Sequence, residues 1–186
     1  MSSNVIEMIR SFSVTDYYRM AEAGIINPDE RTELVEGLIL KMAPISHEHS
    51  HVQTRLLEQL YAFAHQRKFD VWLGGVEIDA GTEVYPDASL IEAGCGARRQ
   101  PRPADVLMVF EVSQSSLGYD LGGKAMLYAR AGIGEYVVLD VAGKCAHAFS
   151  GPHAGGYGEH RKVETGRLTL QTLPLGLDVP ALFTKE

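Results

Sequence analysis

Along the 186-residue chain the longest unbroken apolar rhythm lies past the middle. Leu107-Met108-Val109-Phe110 continues through Glu111 to Val112, the pattern of a strand covered on both faces. A second such run, Tyr136-Val137-Val138-Leu139, ends at Asp140. Between them, Leu117, Leu121, Lys124, Ala125 and Tyr128 fall on one stripe of a helix, with Tyr119, Met126 and Arg130 opposite and Gly132 as its stop. Strand, helix and strand at this spacing predict a right-handed parallel crossover.

The flanking segments carry other periods. Ser13 with Asp16 forms a capping box for a short helix ending near Gly24, and Asn27-Pro28-Asp29 reads as a turn. Residues 33–42 read as a hairpin turning at Glu36-Gly37. Val52, Leu56, Leu60 and Phe63 recur at helical spacing within a helix from Ser46 to about Gln66. Strands follow at 70–73 and 76–79, then one irregular strand over 83–91, where Pro86 removes a ladder donor beside Asp87. Past the second buried strand, Gly- and Pro-rich turns separate strands near 144–149, 156–162 and 168–170, an antiparallel extension. The expected fold is α/β: a mixed central sheet with helices on both faces and this C-terminal extension, in one domain over residues 1–186.

Composition narrows the partners. A net charge of −7 argues against a broad basic surface, leaving Arg98, Arg99 and Arg102 as the densest basic cluster, either a solvated loop or a weak substrate contact. Cys95 and Cys145 sit in no metal-ligand spacing, and neither a leader nor a membrane-spanning apolar run is evident, so a soluble cytoplasmic protein is expected. His47, His49 and His51 alternate along the first helical turn; that spacing scatters them around the axis, unlike the i, i+4 pairing that chelates one ion.

The candidate chemistry centres on Glu111. An ionised carboxylate in a doubly covered strand needs a cation, and Lys124 faces inward from the next helix. Asp87 on a neighbouring strand completes a carboxylate pair plus lysine. Mg²⁺ suits such a site because it wants oxygen ligands, keeps several waters and needs only one or two carboxylates; Mn²⁺ is the alternative. The chemistry is phosphodiester hydrolysis. Two rivals fit less well. Gly118, Gly123 and Lys124 reproduce G-x-x-x-x-G-K, but Ala125 stands where a phosphate-binding loop needs Ser or Thr. A serine hydrolase built on Ser113, Ser115 or Ser116 lacks the G-x-S-x-G elbow.

Pro86-Asp87 followed by Glu111-Val112 resembles the PD-(D/E)XK nuclease motif. Arg31-x-Glu33-Leu34-x-x-Gly37, Met42-Ala43-Pro44, His49, Glu111-Val112-x-x-Ser115, Asp120-x-x-x-Lys124-x-x-x-Tyr128, Gly132-x-x-Glu135-Tyr136 and Leu139-Asp140 are together similar to the Uma-type family of restriction endonucleases, over nearly the whole chain. The resemblance implies a restriction-endonuclease-like fold, Asp87 and Glu111 as metal ligands, Lys124 as the catalytic lysine and Glu33 as an accessory acid. His49, Ser115, Asp120 and Tyr128 are further accessory candidates. Ser113 stands where the parent superfamily's E-x-K pattern has lysine; in this family the lysine lies on the helix. DNA is the implied substrate. A homodimer is expected, covering the Tyr119, Met126 and Arg130 side of the helix. The alternative from another class is a catalytically silent member serving as a binding or regulatory module.

Overall fold

The computed structural model describes residues 9–27, 29–65 and 69–184. The expected turn at Asn27-Pro28-Asp29 and the end of the long helix at Gln66 fall partly outside those residues.

Helix α1 (Val14–Glu22) begins with the expected capping box: Ser13 Oγ accepts from Asp16 N, and Asp16 Oδ2 accepts from Ser13 N at 3.1 Å. Strands β1 (Thr32–Val35) and β2 (Leu38–Lys41) form the hairpin. Its two turn residues, Glu36 and Gly37, both have positive φ, the backbone that matches the right-handed twist of a tight hairpin. At Gly37 a Cβ would run into Ser11, so no larger residue fits. Helix α2 (His47–Ala64) is capped by Ser46 and buries Val52, Leu56, Leu60 and Ala64. Strands β3 (Phe69–Trp72), β4 (Val76–Asp79), β5 (Thr82–Val84), β6 (Ala88–Glu92) and β7 (Val106–Ser113) follow. Helix α3 has three consecutive stretches: α-helical at Leu117–Tyr119, π-wound at Asp120–Lys124 and α-helical again at Ala125–Arg130. Then come β8 (Glu135–Asp140), β9 (Cys145–His153), β10 (Gly156–Val163), β11 (Arg167–Thr169), β12 (Gly176–Asp178) and α4 (Val179–Phe183).

The central sheet has the order β10-β9-β8-β7-β6-β3 and is mixed. Among the described residues only β7 and β8 run parallel, with Glu111 beside Val138, as the crossover through α3 requires. One face packs Leu90, Met108, Phe110 and Leu139 against α2 and α4. The other packs Val109, Tyr136 and Val138 against Ala125 and Tyr128 of α3. The fold is thus a mixed sheet with helices on both faces and an antiparallel extension, β9–β10, plus the small β11–β12 pair.

Residues 83–91 correct the expectation of one irregular strand. They form two strands in different sheets: β5 joins the smaller sheet β2-β1-β5-β4, and β6 joins the central one. Pro86 falls at the break, and Tyr85 N donates to the Glu33 side chain instead of to a strand. The two sheets therefore part at Asp87. On the side of α3 expected to be covered by a second copy, Met126 is half-buried beside Gly156 of the chain's own β10, and Arg130 lies 3.7 Å from Glu36.

Candidate active site

Asp87 occupies the first position where β6 has no backbone partner to offer β7. Ala88 pairs with Phe110, and one step on, Val112 N donates to Asp87 Oδ2 at 2.7 Å, so the side chain extends the ladder past the strand's end. The same oxygen lies 3.2 Å from His49 Nε2, while Gln53 Nε2 donates to the Asp87 carbonyl. Of the three histidines on the first turn of α2, only His49 reaches these carboxylates; His51 contacts the Thr184 carbonyl and His47 is exposed. His49 Nδ1 is buried and has no partner among the described residues.

Glu111 is 4% exposed and Lys124 3%. Lys124 Nζ donates to Glu111 Oε1 at 2.9 Å and to Glu33 Oε1 at 3.1 Å. This ammonium does not snorkel to solvent; it is itself buried between two acids from different sheets. Tyr128 OH, one turn further along α3, donates to Glu111 Oε1 at 3.0 Å. The π-wound stretch fits an extra residue into its turn, and it buries Asp120 as well as Lys124. Asp120 Oδ2 accepts from Ser116 Oγ at 2.6 Å. Gly123 has no Cβ because the Tyr119 ring lies against it.

Four acids thus gather near one buried lysine. Burial pushes the Glu111 carboxyl up to about 8; Lys124 opposes this, while Asp87, Glu33 and Asp120 push the same way. Lys124 is held well above the ordinary lysine range, because Glu111 and Glu33 outweigh the cost of burying its charge. Tyr128 is likewise raised by burial and by Glu111. Four acids around one lysine is an arrangement that favours binding a further cation.

The donor set fits a hard divalent ion. Every hydrogen bond accepted by the Asp87 side chain lands on Oδ2, every one accepted by Glu111 on Oε1, and every one accepted by Glu33 on Oε1. Among the described residues, each carboxylate is oriented through one oxygen and keeps the other uncommitted. All three, with His49, Ser115, Asp120 and Lys124, line one cavity of about 440 Å³.

The loop arginines lie elsewhere. Arg99 makes a two-pronged pair with Asp105 at 2.7 and 2.8 Å, Arg102 pairs with Glu77 at 2.9 Å, and none of Arg98, Arg99 and Arg102 lines the cavity. Besides Lys124 and His49, Arg31 and Lys41 bring basic side chains to its wall; they form no cluster in sequence because they are not adjacent. Alternation puts Arg31 and Glu33 on one face of an extended segment, whereas Lys41, the register partner of Thr32, falls on the other face and pairs with Glu30 at 2.7 Å. Tyr119, placed by helical phasing on the far side, also reaches the cavity wall.

A family model described as "Putative restriction endonuclease" (Uma2) matches residues 14–182. A solved structure described as a "putative nuclease belonging to DUF820", from Anabaena variabilis, superposes with a TM-score of 0.72 at 14% identity, covering 92% of this chain and 97% of that one. No protein of curated function matches. Among the described residues, no helix is long and apolar enough to cross a membrane.

Proposed function

Because the chain belongs to the Uma2 family of restriction-endonuclease-like proteins, we propose that it is a Mg²⁺-dependent DNA endonuclease acting through Asp87, Glu111 and Lys124. The observation that carries the reading is the half-committed state of the three carboxylates around one buried lysine. Asp87 and Glu111 would hold the ion through their uncommitted oxygens, and Mn²⁺ would be accepted by the same oxygens. When bound, such an ion polarises a phosphoryl oxygen and lowers the pKa of a coordinated water.

The chain's own groups do the positioning. Val112 N and His49 fix Asp87, and Tyr128 OH fixes Glu111. An ammonium has three N–H donors; Lys124 spends two on carboxylates, and the third steadies negative charge developing at the attacked phosphate. Glu33 holds that lysine in place from the smaller sheet. Ser115, Ser116 and Asp120 form the adjoining wall, and Arg31 and Lys41 meet backbone phosphates at its edge. Cutting both strands calls for a second copy, so a homodimer is the proposed working unit.

Plasmid DNA incubated with the purified protein should be nicked or linearised with Mg²⁺ or Mn²⁺ and left intact with a chelator. Wild-type protein that binds Mg²⁺ yet leaves plasmid, linear and single-stranded DNA uncut would instead identify a silent, binding member of the family.

A further inference from the structure

A second group of ligand-capable side chains sits one and two strands across from Glu111. Asp140 ends β8 and Cys145 begins β9; the turn between them makes them register partners. His147 lies two residues further along β9 and therefore on the same face. A carboxylate oxygen of Asp140, Sγ of Cys145 and a ring nitrogen of His147 all lie within 4.8 Å of one another, and none of the three residues is more than 9% exposed. We propose that these residues form a zinc site, separate from the carboxylate–lysine centre, with a water as the fourth ligand.

The spacing suits that ion. Zn–S near 2.3 Å and Zn–N near 2.0 Å at tetrahedral angles place sulfur and nitrogen about 3.6 Å apart. Cys145 Sγ lies 3.6 Å from His147 Nε2 and 3.8 Å from Asp140 Oδ2. The partners are oriented as ligands commonly are. His147 Nδ1 lies 3.0 Å from His160 Nε2 on β10, which leaves the other ring nitrogen toward the sulfur. His160 is itself stacked on Phe149 at 4.2 Å between ring centroids. Gly143 N donates to Asp140 Oδ1 at 2.8 Å, and a Cβ at Gly143 would strike Asp140 Oδ2, so this turn accommodates the carboxylate only with glycine there.

The chemistry balances. Binding replaces the Cys145 thiol proton, released to solvent, with a Zn–S bond; neutral His147 gives a lone pair and Asp140 enters ionised. Thiolate, carboxylate and Zn²⁺ sum to zero charge, which a largely buried spot tolerates. A sulfur, nitrogen and oxygen set strongly prefers zinc to magnesium, whereas the all-oxygen set at Glu111 suits magnesium. The consequence is a clamp joining β8, β9 and, through His160, β10.

The test uses Co²⁺ as a coloured stand-in and Zn²⁺ as competitor, in a Cys95→Ala protein whose remaining thiol is Cys145. One equivalent of Co²⁺ should give tetrahedral visible bands and a near-ultraviolet thiolate band, both erased by one equivalent of Zn²⁺. Glu111→Gln should leave them intact. His160→Phe, which keeps the stack but removes the ring nitrogen, should weaken Zn²⁺ binding by about 10-fold or more. Absence of the thiolate band from the folded Cys95→Ala protein would overturn the site, as would a band that vanishes in Glu111→Gln. The Cys95→Ala measurement stands even if replacing Cys145 prevents folding.

Discussion

Two buried glutamates lie on adjacent parallel strands, Glu111 on β7 and Glu135 on β8, and they meet opposite fates. Glu135 is fully buried, and both its oxygens are taken: Gln171 N donates to each, Thr172 N donates to Oε2 at 2.9 Å, and Arg161 stands 3.7 Å away. Its acceptors are consumed in holding the loop before β12 against the sheet. Glu111 has one oxygen held by Lys124 and Tyr128, and it faces a cavity with three other acids around it. A buried acid whose lone pairs are spent on backbone N–H groups is part of the scaffold. A buried acid left half-satisfied beside like charges is arranged to take a further cation.

The largest effect should come from Lys124, which pairs with Glu111 and not with Glu135. Lys124→Met keeps the aliphatic stem and removes the charge, so DNA cleavage should fall by about 10² or more while circular dichroism still reports a folded protein. The metal-free variant should also melt lower than the parent, since it leaves Glu33 and Glu111 facing each other, and Mg²⁺ should recover part of the loss by binding the folded state. Cleavage at the parental rate, with no Mg²⁺ effect on melting in either protein, would remove Lys124 from the chemistry.

Next in size is the scaffold acid. Glu135→Gln gives up charge-assisted hydrogen bonds worth about 2 kcal/mol, which in a chain of this length lowers the melting temperature by roughly 5 °C. Cleavage per folded molecule should be unchanged. Equal loss of activity in Glu135→Gln and Glu111→Gln would erase the distinction between the two residues.

A subtler difference lies in pH. The Glu111 carboxyl titrates near 8 in the folded protein and near 4.5 when unfolded, so the folded state binds the extra proton between those values. Its contribution to stability is fully present below about 4.5 and is lost as pH rises toward 8. Lys124, also raised, adds a loss of the same sign only at strongly alkaline pH. Melting of metal-free protein followed from pH 5 to 8.5 should show a decline that Glu111→Gln flattens; a decline of equal slope in that variant would assign it to other groups.

Much of this contrast was legible in the chain. Glu111 announced itself as the lone charge in an apolar strand, and Lys124 as the lone cation on an apolar helical stripe, because burial leaves a periodic trace. What sequence withheld was set by contacts between distant segments. Lys124 turns out to bridge to Glu33, 91 residues away, because the break at Pro86 splits a stretch that reads as one strand between two sheets. Tyr119 reaches the cavity although regular helical phasing placed it on the opposite side of α3. The loop arginines looked like a substrate patch by density alone, yet Asp105 and Glu77 hold two of them. Cys145 had no ligand spacing in sequence because its neighbour Asp140 arrives through strand register.

The central claim is that Glu111 holds a divalent ion while Glu135 does not, and calorimetric titration with Mg²⁺ tests it most directly. Parent and Glu135→Gln should bind with the same affinity and release protons near pH 7, because the ion displaces the proton that burial keeps on Glu111. Glu111→Gln should bind at least 10-fold more weakly and release none. Undiminished Mg²⁺ binding by Glu111→Gln would contradict the account.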